Sequence, residues 1–458
     1  MLIRRWAALM VALVVLSACT FGGGGETTSS SKGSSTTSTS ATVTSLPAST
    51  TTVTTFPAGT EQLPEEVRAQ LADLIAQTEQ VRGLEFQEPP TVTVVNSDEL
   101  AQRVRDQLTE DLADIPADQA LYRLLGLISD DTDLANLYSD LYSEQVAGYY
   151  DGDAKELVVP ISESGFTPTQ QATLVHELTH ALTDQYYGFH QKYTSMIDED
   201  RFDQSSAYQA LIEGDAVLAE FLYIQALSPQ QQGEFFADAF SASTAVFESA
   251  PKFIQDALVF PYDSGFTFAN QLHDQGGFDA VANAYQDPPA STEQVMDPSG
   301  YPDEVPVALP AENVTIDGYD LAYRSTWGEL GFSLMFNQFL DQSQSDTASR
   351  GWGGDTYDLL FDGTNAALVL HYRGDTEGDA GELAGALTDY VAAAMDTDGG
   401  HDLEGGTAFE GNVQAWVRVD GSDIYFVAAS EENAFLTAVA QAVPAATPGD
   451  TTGNTGGS

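Results

Sequence analysis

His176-Glu177-Leu178-Thr179-His180 puts two imidazoles and a carboxylate into one short apolar run. A separation of four residues places His176 and His180 on one face of a helix, about a turn apart. Two imidazoles so arranged can share one tetrahedral zinc ion. Glu177, beside the first histidine, can take a proton from water at that metal. The pattern is short, so its weight depends on what surrounds it.

Three stretches around it must position these groups. Upstream, Tyr149-Tyr150 and Leu157-Val158-Val159-Pro160 flank the polar turn Asp151 to Lys155, which reads as a β-hairpin. Pro160 favours an edge position for its second strand. Thr167-Pro168-Thr169-Gln170 then supplies an N-cap, a proline at the first helical position and a capping-box glutamine. The helix begun there ends near Gly188. Downstream, a helix from about Phe202 to Leu227 carries Glu213, 33 residues beyond His180 (213 − 180). A carboxylate within an apolar helical stretch needs a partner, because burying it alone is costly. A metal would serve, which makes Glu213 the candidate third ligand and Glu220 the alternative.

The rest of the chain is legible in outline. Val67, Leu71, Leu74, Ile75, Thr78 and Val81 predict a helix closed by Gly83. Thr91 to Val95 predicts a strand, and Ser97 caps a helix running to about Leu112. More helix is expected over 117–127 and 133–141. Phe260 to Gly265 reads as a loop before a helix over 266–273, and Leu321 to Leu340 as helix. Beyond the break at Gly351 to Asp355 come two hairpins with Asp-Gly turns, at 362–363 and 420–421, each followed by a helix. These predict a small lobe of two ββα halves.

Composition narrows the function. Among 458 residues, 69 are acidic and 16 basic, a formal net charge of -53. Nucleic acid and anionic lipid surfaces call for basic patches and are excluded as general partners. An acidic, lysine-poor chain suits a saline or acidic setting. Cys19 is the sole cysteine, so a disulfide within the chain is impossible and a metal must be held by His and carboxylate groups. Arg4 and Arg5 precede an apolar run from Trp6 to Leu16, too short to span a bilayer comfortably. Leu16-Ser17-Ala18-Cys19 resembles a bacterial lipobox, in which the cysteine becomes the lipidated first residue. That implies attachment to the outer face of the cell membrane through Cys19. Residues 20–60 are rich in Gly, Ser and Thr and read as a disordered tether. The expected organisation is a signal peptide over 1–19, the tether over 20–60, a main domain over 61–350, the small lobe over 351–445 and a tail over 446–458.

The motifs together resemble bacterial HExxH zinc peptidases of the gluzincin, peptidase MA-like kind, in the thermolysin-type superfamily. The resembling stretches are Glu144 to Asp151, His176 to Gln185, Glu213-Gly214-Asp215-Ala216, Pro261-Tyr262 through Gly265, Ser291 to Gln294 and Gly351 to Asp355, within roughly 61–440. The resemblance implies an α+β chain: a mainly helical zincin-like metallopeptidase domain with a short hairpin or edge strand, plus the α+β lobe. It implies zinc on His176, His180 and Glu213, Glu177 as general base, and a peptide or protein substrate bound by strand addition to the hairpin edge. By analogy with tyrosines that follow the zinc helices in such peptidases, Tyr262 stabilises the oxyanion; His190 and His273 are the alternatives. Many gluzincins carry an aspartate four residues after the ligand glutamate. Val217 stands there, leaving Asp184 or Asp215 to orient a histidine. The competing expectation is a non-catalytic zinc-containing envelope lipoprotein that binds surface polymers or partner proteins. A third is a peptidase whose C-terminal lobe covers its own cleft.

Overall fold

The computed structural model describes residues 10–11, 57–111, 115–145, 148–160, 165–239, 244–395 and 400–442. Cys19, most of the expected tether and the expected tail lie outside them. The folded part begins slightly earlier than residue 61. Thr60 is buried, and Val92 N donates to the Ala58 carbonyl at 3.1 Å.

Helix α1 (Glu65–Arg82) buries Val67, Leu71, Leu74 and Thr78 and ends on Gly83, whose φ of 74° suits a residue without Cβ. Strand β2 (Thr91–Val95) leads into α2 (Ser97–Asp111). The cap there is Asn96 rather than Ser97, since Asn96 Oδ1 accepts from Glu99 N at 2.9 Å. Helices α3 (Ile115–Leu124) and α4 (Leu134–Gln145) follow, then the hairpin β3 (Tyr149–Asp151) and β4 (Glu156–Pro160). A two-residue strand β1 (Met10–Val11) pairs antiparallel with β3, giving the sheet order β1-β3-β4-β2. The sequence expectation for Pro160 fails. Strand β4 is interior, because β2 pairs parallel to its other side. Pro160 is its last residue, where a missing N–H interrupts little of the ladder.

Helices α5 (Pro168–Tyr187), α6 (Phe189–Asp198) and α7 (Phe202–Ala226) come next, then α8 (Pro229–Ala239), α9 (Ala245–Ser249), α10 (Lys252–Gly276), α11 (Phe278–Gln286) and α12 (Thr292–Met296). Helix α10 corrects the expected loop at 260–265. It runs straight through Pro261, giving up one backbone donor.

The C-terminal sheet starts earlier than expected. Strand β5 (Asp320–Ser325), read from sequence as helix, pairs with β6 (Trp352–Phe361), so Gly351 to Asp355 opens a strand instead of separating domains. Helices α13 (Gly328–Phe336) and α14 (Gln342–Ser349) lie between these two strands. The expected ββα halves are present as β6, β7 (Ala366–Gly374), α15 (Glu377–Ala394) and β10 (Gln414–Asp420), β11 (Asp423–Ala429), α16 (Glu432–Ala442). Strands β8 (His401–Leu403) and β9 (Gly406–Phe409) extend the sheet to the order β5-β6-β7-β11-β10-β9-β8. Alternation along β7 settles its faces. Leu368, Leu370 and Tyr372 join the main core with Leu383, Leu387 and Tyr390 of α15, whereas Ala367 and Val369 pack with Phe435 and Val439 of α16. The chain is thus α+β, with the inner sheet face and the helical part sharing one core. Among the described residues no helix is long and apolar enough to cross a membrane.

Candidate metal centre

Helix α5 starts with the predicted capping box: Thr167 Oγ1 accepts from Gln170 N, and the Gln170 side chain accepts from Thr167 N. This fixes the rotational phase of the two turns that follow. His176 and His180 emerge on the side facing α7, with ring centroids 4.7 Å apart. Glu213 of α7 meets them. His176 Nε2 lies 3.0 Å from His180 Nε2 and 3.1 Å from Glu213 Oε2, and His180 Nε2 lies 3.3 Å from that same oxygen. His176, Glu177, His180 and Glu213 are at most 1% exposed.

The packing of α10 on α7 completes the site. A Cβ on Gly214 would stand 2.0 Å from the Gly265 carbonyl oxygen, and one on Gly265 would stand 2.2 Å from that of Ala210. The two helices therefore touch backbone to backbone, and only glycine allows it. Tyr262, one turn before Gly265, is brought beside the donors, its ring 6.3 Å from that of His176. Burial first, then the charges of Glu213 and Glu177, push its hydroxyl well above the ordinary value, so it stays a donor.

Electrostatics describe three donors with too few protons. Burial opposes charge on His176, but hydrogen bonds to Glu213 and Glu220 override it and raise the imidazole to about 10. His180 goes the other way, lowered chiefly by burial. Burial would raise Glu213, yet the charge of His180 and the hydrogen bond to His176 lead the effects that draw it down to about 2. One proton on His176 cannot satisfy all three edges of the triangle. A tetrahedral ion with bonds of about 2.0–2.2 Å would set its ligand atoms roughly 3.3–3.6 Å apart. The observed edges of 3.0 to 3.3 Å lie at or just under that spacing, so a slight opening of the triangle would admit the ion. The residues present therefore fit a small N/O-coordinated metal.

Glu177, next to His176 in the chain, accepts from Tyr150 N of β3 at 2.8 Å, which ties its carboxylate to the hairpin. The histidine-orienting roles expected of Asp184 and Asp215 are not seen. Asp184 accepts from Tyr150 Oη and His190 N and pairs with Lys155. Asp215 pairs with buried Arg82 and accepts from Tyr285 Oη. Glu220, expected as the alternative ligand, instead faces the back of the first histidine, 3.5 Å from His176 Nδ1. Seven residues beyond Glu213 on one helix means two turns, a signal that could have been read from sequence. His190 and His273 stand elsewhere. His190 bonds Asp153 in the hairpin turn, and His273 packs on Phe278.

A mixed α+β chain carrying a buried His₂Glu cluster is the class these observations define. Residues 318–440, the C-terminal sheet and its helices, match the family model of a domain of unknown function, DUF8575. No curated protein and no solved structure matches the chain.

Proposed function

We propose that this chain is a zinc-dependent peptidase with a zincin-like helical region, anchored by lipid at Cys19 on the outer face of the cell membrane. The observation that carries the reading is the His176, His180 and Glu213 triangle with Glu177 next to it. Glu177 takes no part in the triangle, and a purely structural metal site would have no use for it.

His176, His180 and Glu213 would hold the zinc. Bound zinc supplies Lewis acidity and lowers the pKa of water toward neutrality. Glu177 would accept the proton of the attacking water and deliver it to the leaving amine. Its bond to Tyr150 N aims the carboxylate and links it to the strand along which substrate would lie. The Tyr262 hydroxyl would donate to the oxyanion that develops on the scissile carbonyl. An extended peptide would pair with β3 by strand addition. That edge accepts such a partner already, since Met10 and Val11 pair with Tyr150 and Tyr149. Cleavage ahead of Cys19 would remove those two residues and free the edge.

The test uses full-length chain, chain starting at Cys19, and Glu177→Gln, with zinc content and peptide-library cleavage as readouts. One zinc per chain is expected in all three. Turnover in Glu177→Gln should fall by about 10²–10⁴-fold. Zinc with no turnover in any form would support the non-catalytic lipoprotein; equal turnover in Glu177→Gln would end the mechanism.

A further inference from the structure

A second group of acids sits where the helical part meets the sheet. Glu293 lies on α12, Glu304 in the segment leading toward β5, and Asp375 in the turn between β7 and α15. One carboxylate oxygen from each falls within 4.8 Å of the others. Glu329 on α13 is near enough for its charge to act on Glu293, and that of Glu304 on it. Glu304 is pinned in place, because Gln294 Nε2 donates to its carbonyl while Gln294 Oε1 accepts from Ala290 N.

The burial of these acids needs explaining. Glu293 is 8% exposed and Glu329 6%. Neither side chain has a hydrogen bond or ion pair with any described residue, while neighbouring acids do. Asp203 accepts from Thr292 N and Oγ1, and Asp379 accepts from Thr376 N and Oγ1. Arg350 lies close enough to Glu329 to offset part of its charge, but Asp203, Asp297, Glu304, Asp375 and Asp379 all add to the negative field around the group. Two nearly buried carboxyls beside two more acids can ionise near neutral pH only at a cost, and a cation would remove that cost.

We infer that Glu293, Glu304 and Asp375, with Glu329 behind them, form a calcium site. All donors are oxygens, which selects a hard cation over zinc. Calcium at about 2.3–2.6 Å from each oxygen places opposite ligands roughly 4.6–5.2 Å apart and tolerates irregular geometry. Glu304 and Asp375 are exposed, so solvent can fill the remaining positions. A bound ion would fasten α12 to the β7–α15 turn.

The test is calorimetric titration of calcium chloride into full-length protein freed of divalent ions, with thermal unfolding in parallel. One calcium per chain and a calcium-dependent rise in unfolding midpoint are expected. Glu293→Gln should weaken calcium binding at least tenfold. Asp375→Asn, at an exposed position, should do the same without disturbing the fold. Glu213→Gln should bind calcium as the parent does, which separates this site from the His176 cluster. No heat at millimolar calcium, a response to magnesium alone, or parent-like binding by both Glu293→Gln and Asp375→Asn would overturn the assignment.

Discussion

Glu220 stands behind His176, its carboxylate 3.5 Å from Nδ1, where a small approach would let it aim the first imidazole. A carboxylate at Nδ1 fixes the tautomer that leaves Nε2 free to donate its lone pair, and raises its basicity. Glu220→Gln should therefore weaken zinc affinity by about 10–100-fold, with Glu177 chemistry intact once the site is saturated. Competition with a chelator of known affinity reads this directly; an unchanged zinc constant would reduce Glu220 to a packing residue. At this scale the sequence was most informative. His176, Glu177, His180 and Glu213 are found together because helical spacing and a shared apolar setting are local properties. Tyr262 was reached only through the resemblance, though the structure does bring it beside the cluster. Glu220 is visible in the sequence only as an alternative ligand, because nothing local shows that two turns past Glu213 its carboxylate comes behind His176.

The crossing of α7 and α10 depends on two glycines that look ordinary in the sequence. Gly265→Ala would drive a methyl into the Ala210 carbonyl, so the helices must separate. Overpacking of this kind costs about 1–3 kcal/mol. It should also draw Tyr262 away from the donors, so kcat should fall further than stability alone explains. Denaturant unfolding and steady-state kinetics on the same sample check both; a fully stable, fully active variant would show that the close contact is dispensable. Elements with caps were read correctly, as with α1 and α5. Those shaped by distant partners were not. The sequence starts a helix only at Phe266, but α10 gains enough from its packing on α7 and the main core to run through Pro261. Residues 320–325 follow no clear period because their pairing with β6 is irregular between Leu321 and Tyr323. Strand β4 became interior only because β2, more than fifty residues earlier, pairs beside it.

Across the whole molecule, buried acids set the response to pH. Burial is the leading cause that raises Asp355 to about 6, Asp203 to about 7, and Glu293 and Glu329 to about 8, from ordinary values of 3.8 and 4.5. These carboxyls bind more protons folded than unfolded, so their ionisation opposes the fold. His371, raised by Glu312 and Asp423 against the effect of burial, loses its favourable charge in the same direction. Calcium-free protein should therefore unfold at lower temperature as pH rises from about 5 to about 8. Unfolding midpoints across that range, with chelator present, test the sign; a rising curve would refute it. Such coupling could not be read from composition, because the sum of charges does not say which acids are enclosed.

Among the described residues most of the few basic side chains are paired. Arg82 is buried against Asp215, Arg324 forks onto Asp358 and Arg373 onto Asp423, while Lys192 caps the end of α11 at the Tyr285 carbonyl. Exposed ones are paired as well, as Lys155 is with Asp184 and Lys252 with Asp256, so a protease that seats a free lysine or arginine would first have to break an ion pair there. For a chain proposed to live outside the cell, the pairing that balances charge across the fold would also slow cleavage beside its basic residues.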